Sequence, residues 1–134
     1  MAKTILVVED FKDTRDLMKF ILEGLGYNVL EAEDGWKAVD SVKRQTPDLI
    51  LMDMALPKTD GLSATKIIRQ FKETAKIPII AFTASGEFIE KQAIEAGCDA
   101  LLMKPLDTEK LQSVLDKYFG NGQSLQDNET EVIS

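Results

Sequence analysis

Short apolar runs recur along this chain, and each has the length of a single β-strand. They occupy residues 5–8, 27–30 with one polar interruption, 49–52, 79–82 and 100–103. The segments between them repeat apolar residues at the three- and four-residue spacing of an amphipathic helix. Strands and helices that alternate strictly predict a parallel sheet with helices on both faces, which is a doubly wound α/β domain.

Five helices are predicted, and three of them have a clear buried stripe. The stripes are Met18, Ile21, Leu22 and Leu25; then Ala64, Ile67, Ile68 and Phe71; then Leu111, Val114, Leu115 and Tyr118. The pattern is weaker over residues 36–44 and 87–96, which we also predict to be helical. Glycine and proline at the expected ends of these segments agree with the same division.

The 134 residues are enough for one domain and leave little room for a second. We assign residues 1–120 to the folded domain. Residues 121–134 contain Asp127, Glu129 and Glu131 and no basic residue, and they begin with polar and small residues. This segment is predicted to be an acidic, disordered tail.

Composition excludes several classes of function. Sixteen basic against twenty-three acidic residues give a net charge of −7, so we expect no direct binding to nucleic acid. The chain has no histidine, which excludes a Ser-His-Asp triad and histidine phosphotransfer within this chain. No apolar stretch approaches the roughly eighteen residues of a membrane span. With Cys98 as the only cysteine, a cytoplasmic protein is expected.

Charged and hydroxyl side chains follow the predicted strands. They are Glu9, Asp10, Asp53, Thr83 and Lys104. Ligands of open parallel sheets bind at the carboxyl ends of the strands, so we expect these side chains to lie close together. Carboxylates held about 4 Å apart repel by roughly 4 kcal/mol at an effective dielectric constant near 20. A cation must offset this repulsion, and oxygen ligands with room for water suit Mg²⁺.

Four segments of the sequence carry a family resemblance. They read VVED at 7–10, DLILMDMALPKTDG at 48–61, IIAFTA at 79–84 and AGCDALLMKP at 96–105. Together they resemble the receiver domain of a two-component response regulator, of the CheY-like, single-domain type. The resemblance implies a flavodoxin-like sheet of five parallel strands in the order 2-1-3-4-5.

The resemblance also implies a function. Asp53 would accept a phosphoryl group from a histidine of a separate sensor histidine kinase or phosphotransfer protein, in a reaction that depends on Mg²⁺. The phosphorylated protein would then signal to an output protein, whose identity the sequence leaves open, by altered protein–protein interaction. Such a protein is not an enzyme beyond catalysing its own phosphorylation and dephosphorylation. It would work as a stand-alone receiver without contact to nucleic acid or membrane.

Matching the family's metal ligands to this sequence implies a ligand set for Mg²⁺. Asp10, Asp53 and the backbone carbonyl of Ala55 would bind the cation directly, and Glu9 would act chiefly through water. An alanine is sufficient at position 55 because only its carbonyl is required.

Other family positions imply how the phosphoryl group is sensed. Thr83, followed by Ala84, would contact the phosphoryl oxygens, and Lys104 would pair first with Asp53 and then with the phosphoryl group. The Lys104–Pro105 peptide bond would be cis. Leu101 departs from the family, which often has an aromatic residue or histidine there, so a rotating aromatic switch is not expected.

Three alternatives remain open from the residues alone. A flavin-binding protein of this fold would have a Ser/Thr/Gly-rich phosphate loop after the first strand, where this chain has Glu9 and Asp10. A phosphohydrolase with an aspartyl nucleophile would typically have an acid at the position of Ala55. A receiver fold could also act as a constitutive interaction module without phosphorylation, although the acidic site is complete.

Overall fold

The computed structural model describes residues 2–54, 61–84 and 87–120. Within these ranges the chain alternates five strands with five α-helices and adds one short 3-10 helix. In chain order these are β1 (Thr4–Val8), α1 (Lys12–Gly24), β2 (Asn28–Ala32), α2 (Gly35–Arg44), β3 (Leu49–Asp53), α3 (Gly61–Arg69), the 3-10 helix (Lys72–Thr74), β4 (Ile79–Thr83), α4 (Glu87–Ala96), β5 (Ala100–Met103) and α5 (Thr108–Phe119).

The strands form a single parallel sheet in the order β2-β1-β3-β4-β5. This confirms the flavodoxin-like order that the resemblance implies. Val8 lies opposite Ala32 on one side and Met52 on the other, so the last residues of β1, β2 and β3 reach the same edge. Thr83 of β4 lies opposite Met103 of β5 at that edge as well.

Two apolar cores lie on opposite faces of the sheet because successive strand residues point to opposite sides. In β1, Ile5 and Val7 pack in the core with α1 and α5, whereas Leu6 and Val8 pack in the core with α2, α3 and α4. All four side chains are fully buried. A strand that is buried on both faces cannot alternate with polar residues, which explains the continuous apolar runs of the sequence.

The predicted and observed boundaries differ by more than one residue in two places. We predicted the second strand over residues 27–30, but β2 spans Asn28–Ala32. Its polar Glu31 belongs to the strand because it pairs with Val7 of β1, and its carboxylate lies on the surface, where Arg15 and Lys19 of α1 contact it, so an apolar criterion ended the strand too early. We also placed Phe71 on the third helix, but α3 ends at Arg69.

Phe71 follows α3 in a tightened turn. The Gln70 N–H donates to the Ile67 carbonyl and the Phe71 N–H to the Ile68 carbonyl, which are hydrogen bonds of the 3-10 type. The chain then enters the 3-10 helix, and Phe71 still packs against the core with α2, α3 and α4. The apolar side chain of Phe71 therefore indicates packing against the core. It does not indicate that the residue is helical.

The two helices with the weaker pattern are confirmed over Gly35–Arg44 and Glu87–Ala96. Asp34 caps α2 by accepting a hydrogen bond of 2.8 Å from the Lys37 N–H, which supplies a start signal that the apolar pattern lacks. Gly97 follows α4 with a φ of +119°, a conformation that favours glycine at the end of a helix. The predicted tail, residues 121–134, lies outside the described residues.

We expect that Gly61→Ala lowers the free energy of unfolding by about 2 kcal/mol. A Cβ at Gly61 would overlap the carbonyl oxygen of Asp53 and the Met54 side chain, and backbone atoms cannot move aside cheaply. Gly24→Ala is the matched control, because a Cβ there meets nothing within 4 Å and alanine suits the end of α1. Urea unfolding followed by circular dichroism measures both; equal stabilities of the two variants would contradict this account.

Candidate functional site

Three carboxylates meet at the carboxyl edge of the sheet. Glu9 and Asp10 directly follow β1, and Asp53 is the last residue of β3, its neighbour in the sheet. One carboxylate oxygen from each residue lies within 4.8 Å of those of the other two. Glu9 and Asp53 are 1% and 2% exposed, whereas Asp10 is open to solvent. The site is therefore a buried acidic pair with an exposed third acid at its rim.

Lys104 holds the buried pair together. Its Nζ lies 3.1 Å from Glu9 Oε1 and 3.2 Å from Asp53 Oδ2. The residue follows β5, two strands away from β3, and its side chain passes over the Phe82 ring of β4 at 5.1 Å from the ring centroid. The Lys104 N–H donates to the Thr83 carbonyl, and the Lys104–Pro105 peptide bond is cis.

The protonation equilibria reflect this crowding. Burial raises the pKa of Glu9 above its ordinary value, and the charge of Asp53 raises it further, while the Phe11 N–H and Lys104 oppose the shift. Burial lowers the pKa of Lys104, but the carboxylates of Asp53 and Glu9 outweigh that effect, so this pKa is raised overall. The Lys104 ammonium therefore stays charged beside the carboxylates of Glu9 and Asp53.

The oxygen atoms present fit a hard divalent cation. Lys104 supplies one ammonium to the two buried carboxylates, and the third carboxylate faces water, so a cation could keep part of its hydration shell. This donor set matches the preference of Mg²⁺ for oxygen ligands and water. Ala55, whose carbonyl the resemblance adds to the ligands, lies outside the described residues.

The remaining predicted site residues lie at or near this edge. Thr83 ends β4 and is 2% exposed, and Ala84 follows it on the surface. Leu101 lies opposite Ala81 in the interior of the sheet, half buried against the core with α2, α3 and α4. Thr83 therefore lies at the same edge of the sheet as Lys104. Leu101 lies within β5, three residues before Lys104.

Sequence reasoning missed Arg15, which contacts the acidic loop from α1. Its Nη1 donates a hydrogen bond of 2.8 Å to the backbone carbonyl of Glu9. A lone arginine on an amphipathic helix is ordinarily a solvated side chain, so no motif pointed to it. The available signal was its place in the second turn of a helix that begins at Lys12, two residues after Asp10.

Comparison with known proteins gives the family. The sequence model of the response regulator receiver domain matches residues 5–116. This chain therefore belongs to the response regulator receiver domain family, whose members serve two-component signalling. It is 33% identical over 122 residues to the polar-differentiation response regulator DivK of Brucella ovis, covering 90% of this chain and 99% of that protein.

Solved structures agree with this assignment. The receiver domain of the sensor histidine kinase PA1611 from Pseudomonas aeruginosa is 38% identical with a TM-score of 0.84, covering 90% of this chain and all of that one. Its crystal structure contains a magnesium ion coordinated in the active-site cleft. The receiver domain of Ssk1 from Saccharomyces cerevisiae, solved with the phosphotransfer protein Ypd1, is 26% identical with a TM-score of 0.81, covering 87% and 88% of the chains.

Among the helices that the structure describes, none is both long enough and apolar enough to cross a membrane.

We expect the metal-free protein to lose stability relative to Glu9→Gln as the pH rises. The pKa of Glu9 in the folded state lies above its ordinary value of 4.5, so the folded state binds this proton more tightly than the unfolded chain. The loss begins near pH 4.5 and levels off above the raised pKa of the folded state. Chemical unfolding of both proteins across this range, in the presence of a chelator, measures the difference.

Glu33→Gln is the control with the opposite sign. Lys37 lowers the pKa of Glu33, so Glu33 contributes stability that is present above 4.5 and lost as the pH falls through the lowered pKa. A difference between wild type and Glu9→Gln that is independent of pH would mean that Glu9 is not perturbed by burial.

Proposed function

We propose that this chain is a receiver domain that is phosphorylated on Asp53 by a histidine of a sensor kinase or phosphotransfer protein, in a reaction that depends on Mg²⁺. The observation that supports this most directly is the position of Asp53, which is buried at the end of β3 between Lys104 and the two acids that follow β1. A carboxylate so placed is oriented for attack and shielded from bulk water.

In the proposed transfer, an Asp53 carboxylate oxygen forms a bond to phosphorus. The bond between phosphorus and the donor's imidazole nitrogen breaks, and its electron pair returns to that nitrogen. Bound Mg²⁺ would supply positive charge to the phosphoryl oxygens, and Asp10, Asp53 and the Ala55 carbonyl would hold it, with Glu9 acting through water. Catalysis in such a transfer is mostly positioning and charge neutralisation.

Lys104 and Thr83 would contact the phosphoryl group after the transfer. Lys104 contacts one carboxylate oxygen of Asp53 in the unphosphorylated protein and would move to a phosphoryl oxygen, a stronger anionic partner. Thr83, followed by Ala84, would donate its hydroxyl to another phosphoryl oxygen. Because β4 and β5 adjoin at Thr83 and Met103, the movement would change the surface formed by α4, β5 and α5.

Leu101 occupies the position where the family often has an aromatic residue or histidine. It packs half buried against the sheet's core and carries no ring or hydroxyl whose rotation could report the movement of Thr83. We therefore infer that the output depends on backbone and packing changes near Thr83. The output would be altered binding to a protein partner, since the net charge of −7 disfavours nucleic acid.

The histidine donor must lie outside these 134 residues because they contain no histidine. A structural neighbour supports such an encounter, since the Ssk1 receiver was solved with the phosphotransfer protein Ypd1. We also propose a cytoplasmic location. Cys98 is buried, and burial raises the pKa of its thiol to about 11, so it can remain a reduced core residue there.

Incubation with Mg²⁺ and acetyl phosphate should add one phosphoryl group to the wild-type chain and none to Asp53→Asn. Acetyl phosphate needs no knowledge of the kinase, and intact-protein mass spectrometry detects the product. Asp40→Asn, an exposed acid on α2, is the matched control and should behave as wild type. No mass gain in a folded wild-type protein, or an equal gain in Asp53→Asn, would contradict the proposal.

Phosphorylation should shift the backbone amide signals of β5 and α5 in nuclear magnetic resonance spectra, and Thr83→Ala should remove most of these shifts. Thr83→Ser keeps the hydroxyl that would bind the phosphoryl group, so the shifts should persist in that variant. Both variants should still be phosphorylated by acetyl phosphate. If Thr83→Ala responds like wild type, the threonine does not transmit the signal.

A further inference from the structure

Arg15 connects α1, β2 and the acidic loop. Its guanidinium donates through Nη1 to the Glu9 carbonyl at 2.8 Å, and its Nε lies 3.2 Å from Glu31 Oε1 of β2. The side chain is only 13% exposed. Two anchors on different elements leave it little freedom, which is unusual for a long charged side chain on a surface helix.

The carbonyl that Arg15 contacts belongs to the peptide unit between Glu9 and Asp10. The loop is also held on either side of this unit, because the Glu9 N–H donates to the Ala32 carbonyl and the Phe11 N–H donates to Glu9 Oε2. Neither of those hydrogen bonds fixes the orientation of the Glu9–Asp10 peptide. The contact with Arg15 does so, and this peptide sets the direction from which the Asp10 side chain emerges.

We propose that Arg15 is a positioning residue that orients Asp10 for Mg²⁺. The inference rests on the proposed function, in which Asp10 is a metal ligand. Asp10 is exposed and follows the end of β1, so it lacks the packing that fixes Asp53 within β3. Groups that orient metal ligands typically change metal affinity by 10–100-fold when they are replaced.

The charge of Arg15 acts against its positioning effect. A guanidinium near the site repels a divalent cation, and Glu31 beside it offsets part of that repulsion. Removal of the side chain therefore lowers Mg²⁺ affinity if positioning dominates and raises it if charge dominates. The direction of the change distinguishes the two effects.

The test is Mg²⁺ binding to the full chain, measured by isothermal titration calorimetry. Arg15→Met should weaken binding about tenfold. Lys19→Met is the matched control, because Lys19 is also on α1 and pairs with Glu31 at 3.3 Å, but this ion pair joins α1 to β2 and not to the acidic loop. It removes the same charge and should change affinity less than twofold. Arg15→Lys retains a charged donor and should recover part of the loss.

A second readout does not need the metal. In the metal-free protein, the amide nitrogen signal of Asp10 should shift in Arg15→Met and stay near its wild-type position in Lys19→Met, because hydrogen bonding to the Glu9 carbonyl polarises that amide. This measurement also applies to Arg15→Lys, should Arg15→Met fail to fold. An unchanged Asp10 signal in the arginine variants would overturn the inference.

The outcomes separate the two proposals. A folded wild type that binds no Mg²⁺ would overturn the proposed function and this inference with it. Wild-type binding together with equal or tighter binding by Arg15→Met would overturn only the role of Arg15. Weaker binding by both Arg15→Met and Lys19→Met would assign the effect to the ion pairs that both residues form with Glu31, and not to the contact with the Glu9 carbonyl, and would likewise overturn it.

Discussion

Electrostatic repulsion among three carboxylates at one edge of the sheet is the constraint on which the site depends. Glu9, Asp10 and Asp53 bring oxygen atoms within 4.8 Å of one another, and Lys104 contacts the two that are buried. At such separations two unit charges repel by several kcal/mol at the effective dielectric constant of a protein near its surface. Burial raises the pKa of Glu9, and repulsion from Asp53 raises it further. A site of this kind favours the binding of a cation. Its electrostatic energy changes when one of its carboxylates is modified.

The fold tolerates this repulsion because the acids are attached to a well-packed sheet. β1 and β3 are buried on both faces by two separate apolar cores, so the residues at their ends have little freedom to move apart. Gly61 packs against the Asp53 carbonyl, and Arg15 holds the Glu9 carbonyl, so backbone contacts support the site from two directions. The energetic cost of assembling like charges is carried by the burial of apolar side chains elsewhere in the domain.

Much of the fold and site could be predicted because both follow from periodic patterns. The alternation of strand-length apolar runs with helical spacing predicted all ten main elements, and the strand ends pointed to Glu9, Asp53 and Lys104. The errors concern residues whose polarity does not predict their secondary structure. Glu31 lies in β2 because it pairs with Val7 of β1, and Phe71 is partly buried outside any α-helix. A local pattern contains no information about partners that come from another element.

The sequence by itself determined the class of domain, since buried parallel strands require apolar runs that helical segments separate. It also determined which acids, hydroxyl and lysine could serve the site. Only the tertiary structure decided how they meet, because that depends on strand order. The order β2-β1-β3-β4-β5 puts β1 beside β3 and carries Lys104 across β4 to both acids. Arg15 became a neighbour of the Glu9 carbonyl in the same way, through the packing of α1 against the sheet.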